Sequence, residues 1–246
     1  MVQTVNQNDS VYWMLLAAHF LALGVAVMIF LWIKFLLRRA QKSEIIAAQI
    51  PKQISPAPVF PQRPATWLAI RSATSEAVQA ALGLSHSTPC SWSEGMAGGH
   101  EFFVSPPVHG WVIVTGLALP CPDDDVDACF LFLTALSRKL GHVQFFHAEK
   151  FSHHHAWARV DDGCVTRAYA WAGETVWNQG AKTMPEIELG LKCFAYGENS
   201  VTNEIAELNF EKVAALAARW SLDPATVDEH LLNQASGTAG ELSQLY

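Results

Sequence analysis

The hydrophobic positions of this chain begin with one long uninterrupted run. Residues 11–33 read VYWMLLAAHFLALGVAVMIFLWI and contain no Asp, Glu, Lys or Arg. At ~1.5 Å per residue such a helix is about 34 Å long, enough to cross a hydrocarbon core of about 30 Å. We therefore predict a single transmembrane helix with its basic flank over residues 11–37, after a short external N-terminus over residues 1–10. A cleaved signal peptide, the alternative, would need a basic leader, which residues 1–10 lack.

Aromatic and basic residues flank this predicted helix. Amphipathic aromatic side chains favour the interface between membrane and water, and a positively charged flank stays on the cytoplasmic side. The pattern predicts a protein of the bacterial inner membrane, with its N-terminus outside and residues 34–246 in the cytoplasm, in contact with membrane lipid. The predicted membrane-interface residues are Tyr12, Trp13, Trp32, Lys34, Arg38 and Arg39.

One ionisable side chain, His19, lies inside the predicted membrane helix. Ionisable residues within membrane spans are often functional, so a contact with a partner helix or a bound ligand is one interpretation. A neutral imidazole costs far less in lipid than a charge does, and simple tolerance is the other. The sequence leaves both open.

Prolines recur every few residues between the predicted helix and the rest of the chain. Because proline fixes φ and removes a hydrogen-bond donor, residues 38–65 are predicted to form an extended linker that spaces the following domain from the bilayer. A docking site for a polyproline-binding partner is the alternative. The prolines concerned are Pro51, Pro56, Pro58, Pro61 and Pro64.

Beyond residue 65, short apolar segments with period 2 are interleaved with segments of helical period. Strands are predicted at residues 67–72, 102–104, 111–119, 142–149, 155–159 and 164–171. Helices are predicted at residues 74–82, 128–140, 183–192, 203–220 and 223–232, and a polar, Gly-rich loop at residues 85–100. We expect an α+β domain over residues 66–200 with a mostly antiparallel sheet and packed helices. C-terminal helices over residues 201–232 and a flexible tail over residues 233–246 complete the expected organisation.

The dipeptide Asp162-Gly163 predicts a two-residue β-hairpin turn between the last two of these strands. Counting outward from that turn pairs Asp161 with Cys164, and Val160 with Val165. Continued without a bulge, the same count pairs Trp157 with Ala168.

Charge divides the chain into two parts. The whole chain carries −7, but residues 1–65 contain six bases and two acids, whereas residues 66–246 contain ten bases and 21 acids. An acidic domain is a poor match for a phosphate backbone, so we exclude nucleic acid as a partner, although the two C-terminal helices are spaced like a helix-turn-helix.

Motifs for common enzyme chemistry are missing from the sequence. It contains no Rossmann, P-loop, nucleophile-elbow or HExxH pattern. The acidic stretch at residues 123–127 is interpreted as helix capping rather than as a magnesium site. Five cysteines occur without CxxC spacing. A nucleophile and base could be drawn from Cys90 or Cys164 with His100 or His147.

The densest candidate for metal binding is the run of three histidines at residues 153–155. On a strand, His153 and His155 would project from the same face and could chelate zinc or copper. His147 lies nearby in the sequence, and an acid such as Glu149, Asp161 or Asp162 could complete the site. An unliganded surface run of histidines is the alternative.

Several short segments together resemble a bacterial domain type without a described activity. They are Trp111-Val-Ile-Val-Thr-Gly, Leu136-Ser-Arg, Val143-Gln-Phe-Phe, Ala156-Trp-Ala-Arg, Asp162-Gly with Arg167-Ala-Tyr, and Asn178-Gln-Gly. The resemblance covers residues 66–230, and domains of this build are similar to immunity-type proteins. It implies a protein that binds a partner and catalyses nothing, and it brings no catalytic residues with it.

Three functions follow as hypotheses. The first is a non-catalytic, membrane-anchored binding module, an accessory subunit of an inner-membrane complex with an integral-membrane partner. The second is an immunity-type protein whose acidic surface neutralises a basic toxin. The third is a metal-dependent enzyme that uses His153, His155 and a nearby acid. The first hypothesis needs no cofactor.

Overall fold

The computed structural model describes residues 63–72, 74–198, 203–228, 232 and 235–242, together with Leu16 and Ala18, which are both helical. The chain divides into two units, Met1–Pro58 and Val59–Tyr246. None of the helices in these described stretches combines the length and apolarity needed to cross a membrane.

The predicted membrane helix otherwise lies outside the described residues. The residues assigned to the interior of this helix and to its two membrane interfaces also lie outside the described residues. They are Tyr12, Trp13, His19, Trp32, Lys34, Arg38 and Arg39.

One antiparallel sheet dominates the second unit. Its strands are β1 (Thr66–Arg71), β2 (Leu84–Cys90), β3 (Phe102–Val104), β4 (Trp111–Thr115), β5 (His142–Ala148), β6 (His155–Asp161), β7 (Cys164–Trp171), β8 (Thr175–Gln179) and β9 (Gly237–Leu242). Their order across the sheet is β2-β9-β3-β4-β1-β5-β6-β7-β8, and neighbouring strands are antiparallel throughout. The predicted α+β class with a mostly antiparallel sheet is confirmed.

Helices cover both faces of this sheet. They are α1 (Ser75–Leu82), α2 (Trp92–Met96), α3 (Val126–Leu140), α4 (Met184–Glu188) and α5 (Asn203–Trp220), with a 3-10 helix at Pro224–Thr226. Alternate residues of the central strand β1 point to opposite faces, so Leu68 packs in one core with Leu133 of α3, and Trp67 in the other with Val213 of α5. Each face therefore buries its own hydrophobic core.

The longest fully described helix, α3, has the predicted capping residues and ends at Leu140 as predicted, but it begins at Val126, two residues before the predicted start. The Asp125 side chain accepts a hydrogen bond from the backbone N–H of Ala128 at 3.0 Å, and Gly141, with φ of 81°, follows the last turn. Arg138 and Lys139 lie in the last turn, where cations interact favourably with the helix dipole. The capping interpretation is thus confirmed for Asp125.

The region predicted as a loop at residues 85–100 contains regular structure, and that prediction is wrong. It forms strand β2 and helix α2, which begins with a capping box between Ser91 and Glu94. The sequence of β2, LSHSTPC, lacks apolar alternation because four of its seven residues are exposed at the edge of the sheet. Its regularity comes from pairing with a distant strand.

That distant strand is β9, and the prediction of a flexible tail over residues 233–246 is wrong for Gly237–Leu242. This segment lies between β2 and β3 and pairs with both. Small residues are required there, because a Cβ added to Gly237 would lie 2.4 Å from the Phe103 ring. The resulting sequence, GTAGEL, therefore carries no apolar alternation.

Two further boundaries differ from prediction. In the described part of the helix expected at residues 223–232, Pro224–Thr226 form a 3-10 turn, Val227 is extended, and Leu232 is again in a 3-10 conformation. Arg63, assigned to the linker, forms a two-pronged ion pair with Asp223 at 2.9 and 2.7 Å. The folded body therefore includes the end of the predicted linker.

The predicted hairpin is correct near its turn and shifts farther out. Asp161 pairs with Cys164 and Val160 with Val165, as expected. The register then shifts between Arg159 and Val160, and Trp157 pairs with Tyr169 instead of Ala168. A bulge inserts one extra residue into a strand, so every pair beyond it moves by one position.

Candidate metal centre

Three possible metal ligands converge where α3 begins over the end of β5. Each of Cys121, Asp123 and His147 offers one ligand atom, and these atoms all lie within 4.8 Å of one another. Of the residues that the structure describes, this is the one cluster of three or more such side chains.

The lengths of two consecutive elements explain this convergence. Helix α3 has 15 residues and strand β5 has seven, so they extend about 22 Å and about 23 Å at their standard rises per residue. They follow one another through Gly141 and run back to back, so the segment before α3 meets the far end of β5. Cys121 and Asp123 lie in that segment, and His147 is the penultimate residue of β5.

A hydrogen bond across the sheet orients the His147 imidazole. Its Nδ1 lies 2.8 Å from Oγ1 of Thr66, the residue paired with it on β1. Its Nε2 is buried and has no hydrogen-bond partner among the described residues. One ring nitrogen of the imidazole is thus free to bind a metal, as in metal-binding histidines whose other nitrogen is engaged.

The Asp123 carboxylate also has one oxygen with a hydrogen-bond partner and one without. Its Oδ2 lies 3.2 Å from Nδ1 of His154, whereas its Oδ1 is buried and unpaired within the described part of the chain. Buried polar atoms normally have partners, because leaving one unpaired costs about 1–3 kcal/mol. Nε2 of His147 and Oδ1 of Asp123 lack such a partner among the described residues, although the Cys121 thiol is close enough to interact with the Asp123 carboxylate.

Burial and mutual charge set the protonation of the three groups. Burial, followed by the charge of Asp123, raises the pKa of the Cys121 thiol far above its usual value. Burial also lowers the pKa of His147 and keeps the imidazole neutral, although Asp123 opposes this. Burial raises the pKa of Asp123, but the Cys121 thiol and the two neighbouring histidines outweigh it, so the net shift is downward.

The donor set matches a transition metal better than magnesium or calcium. Thiolate sulfur and imidazole nitrogen favour Zn²⁺ and similar ions, whereas Mg²⁺ and Ca²⁺ prefer oxygen ligands. Three protein ligands leave the fourth position of a tetrahedral zinc ion for water or another molecule. Thr66 and His154 would act as outer partners that hold His147 and Asp123 in place.

His155, one of the two predicted metal ligands, lies in the core instead. It is 1% exposed, its Nδ1 donates to the carbonyl of His153 at 2.8 Å, and its Nε2 lies 3.4 Å from the Asn209 amide nitrogen. Its ring stacks on Trp157 with centroids 5.9 Å apart. Burial lowers the pKa of His155 to about 4.

His153 does not share a strand with His155, contrary to the expectation. Strand β6 begins at His155, and His153 has a left-handed backbone with φ of 54°. Its ring lies 6.0 Å from Phe210. The two side chains therefore do not project together from one strand face, and both nitrogens of His155 already have partners.

One of the predicted thiol–imidazole pairs is present at the β2 edge of the sheet. The Cys90 sulfur lies 3.4 Å from Nε2 of His100. Cys164 is exposed, and His147 lies with Cys121 rather than with either predicted cysteine. Neither Cys121 nor Asp123 was predicted as a ligand.

No protein-family model, no curated protein and no solved structure matches this chain. The resemblance to immunity-type domains thus remains a prediction.

Proposed function

We propose that this chain is a membrane-anchored metal-binding module. Residues 11–33 hold it in the bacterial inner membrane, and the α+β domain binds one Zn²⁺ ion on the cytoplasmic side. The ligands are the Cys121 sulfur, Asp123 Oδ1 and His147 Nε2. The module serves as an accessory subunit of a membrane complex.

The carrying observation is the convergence of three ligand side chains, two of which have a buried polar atom without a partner among the described residues. Three other buried side-chain nitrogen or oxygen atoms lack a partner in the described part of the chain, on Trp67, Gln144 and Arg159, but these residues lie outside the cluster. Both ring nitrogens of His155, by contrast, have partners. At the proposed centre, each of Asp123 and His147 uses one polar atom for a neighbouring side chain and leaves the other for the cluster.

Charge balance also supports a divalent cation. A carboxylate and a thiolate together carry two negative charges, which one Zn²⁺ ion neutralises, and the imidazole adds a neutral ligand. Because Cys121 is 9% and His147 6% exposed, a bound ion would be largely shielded from water. The partly exposed edge is formed by Asp123 and His154.

Zinc titration of the full chain in detergent tests this proposal. We expect one equivalent to bind, and Cys121→Ser and His147→Gln each to weaken binding by at least about a hundredfold, since each removes a ligand. Cobalt should show thiolate-to-cobalt charge-transfer absorption that Cys121→Ser abolishes.

Two matched variants serve as controls. Cys164→Ser removes an exposed cysteine and His109→Asn an exposed histidine, and neither should change affinity or stoichiometry. The proposal fails if Cys121→Ser binds zinc as tightly as the unaltered chain does, or if less than about a tenth of an equivalent binds at saturating zinc.

A further inference from the structure

A second pair of reactive side chains lies at the edge of the sheet, on the face covered by α2 and α5. Cys90 ends the edge strand β2, and His100 follows α2 after a Gly-rich segment. The Cys90 sulfur lies 3.4 Å from His100 Nε2, within the range of a thiol–imidazole hydrogen bond.

The capping box of α2 fixes a third group beside this pair. The Glu94 carboxylate accepts hydrogen bonds from the backbone N–H and the hydroxyl of Ser91, at 3.1 and 2.7 Å. The charge of Glu94 interacts with both Cys90 and His100. The three residues lie within an 11-residue stretch of chain, and Glu94 is close enough for its charge to act on both members of the pair.

Cys90 belongs to the core on this face of the sheet, whereas His100 is only partly buried. Cys90 is 5% exposed, but the segment leading to His100 borders open space. A Cβ added to Gly98 or Gly99 would meet no atom within 4 Å. This segment is therefore the side from which we expect a small molecule to reach the pair.

We propose that Cys90 is a thiol-exchange site that reacts with disulfides of low-molecular-weight thiols, and that His100 is its general base. His100 Nε2 takes the thiol proton as the Cys90 sulfur attacks one sulfur of the small disulfide. A new S–S bond forms, the original S–S bond breaks, and the departing thiolate takes the proton from His100. The products are one mixed disulfide at Cys90 and one free small thiol, so the small disulfide is the oxidant.

The resting state of Cys90 explains why a base is required. Burial, and then the charge of Glu94, raises the pKa of the Cys90 thiol, so the sulfur is protonated at neutral pH. Since only the thiolate attacks a disulfide, a thiol without a nearby base would react slowly. His100 supplies this base within hydrogen-bond distance. This inference does not depend on the proposed zinc centre.

The exposed Cys164 gives an internal reference in the same molecule. The full chain in detergent, with chelator present, would be treated with oxidised glutathione at neutral pH, and peptide mass spectrometry would follow the mixed disulfide at each cysteine. We expect Cys90 to react faster than Cys164. His100→Gln should slow Cys90 by at least about tenfold, the lower end of general-base effects, without changing Cys164.

Two further measurements separate a base from a structural residue. His109→Asn, which alters an exposed histidine, should leave both rates unchanged. In strongly alkaline solution hydroxide removes the thiol proton directly, so His100→Gln and the unaltered chain should converge there. The inference is overturned if Cys90 is no faster than Cys164, if His100→Gln leaves its rate unchanged, or if the deficit persists at alkaline pH.

Discussion

The hydroxyl of Thr66 lies 2.8 Å from Nδ1 of His147, directly across the pairing of β1 and β5. This contact engages Nδ1 of His147 and leaves Nε2, which is buried and unpaired among the described residues, as the nitrogen that we assign to the candidate metal centre. The central strand of the sheet therefore supports the site although it contributes no ligand.

Replacing Thr66 with valine should weaken zinc binding without removing a ligand. Valine keeps the shape of threonine but leaves Nδ1 without its partner, and loss of such an outer contact typically costs about 10–100-fold in metal affinity. Competition with a chromophoric chelator measures this. Thr88→Val, on the exposed edge strand β2, is the matched control. Equal affinities for the two variants would show that Thr66 has no supporting role.

Zinc should also stabilise the folded state. A ligand that binds only the folded state adds about 2.7 kcal/mol when its free concentration is ~100 times Kd. We therefore expect thermal unfolding of the full chain to shift upward with zinc and to return with chelator. Cys121→Ser should lose this shift, whereas Cys164→Ser should keep it. A shift of equal size in both variants would point to zinc bound elsewhere.

The sequence predicted the centre of the fold better than its edges. Strands β1, β4, β5, β6 and β7 carry apolar residues that pack on helices, so the sequence of each strand shows a recognisable apolar pattern. Strands β2 and β9 pair across more than 150 residues, as the contact of Ser85 with Glu241 shows, and their regularity comes from that pairing. Long-range pairing leaves no periodic signal in a polar or small-residue strand.

The metal ligands were missed for a related reason. The histidine run at residues 153–155 was prominent in the sequence, but one bend at His153 and the burial of His155 prevent a shared face. Cys121 and His147 are separated by a helix, and only the near-equal lengths of α3 and β5 bring them together. The near-equal lengths of the predicted helix and strand were the one feature of the sequence that could have indicated that Cys121 and His147 lie close together.

Acid should destabilise the domain through His155. Its pKa is about 4 in the folded state and about 6.5 when exposed, so between these values the unfolded chain binds the extra proton. Protonation of His155 therefore does not change the free energy of unfolding above about pH 6.5. Between about pH 6.5 and pH 4 it lowers the free energy of unfolding, and below pH 4 it lowers it no further. The total is about 3 kcal/mol.

Urea unfolding of the full chain between pH 7 and pH 4, with chelator present, measures this dependence. His155→Gln removes the titrating group, so its stability should fall less steeply over that interval. His109→Asn, an exposed histidine, should keep the full slope. If His155→Gln and the unaltered chain have parallel pH profiles, His155 is not the cause of the acid loss.

The proposed membrane anchor can be tested on cells that express the full chain. An integral helix over residues 11–33 predicts that the protein stays with membranes through alkaline washing and is released by detergent. Protease added to intact spheroplasts should spare the domain, whereas protease added to inside-out vesicles should digest it. Digestion in intact spheroplasts would reverse the proposed orientation, and release by alkali alone would rule out an integral anchor.

The buried ion pair of Arg167 and Glu186 should be the most sensitive electrostatic contact in the domain. Arg167 is 2% and Glu186 0% exposed, their atoms lie 2.8 Å apart, and the same carboxylate oxygen accepts a hydrogen bond from the Trp157 indole at 2.8 Å. Glu186→Gln leaves a buried guanidinium without its counter-charge, which costs about 3–5 kcal/mol.

The half-exposed pair of Arg219 and Glu188 is the matched control, and Glu188→Gln should cost less than about 1 kcal/mol in the same urea unfolding measurement. Equal losses for the two variants would mean that burial does not set the strength of the Arg167 contact.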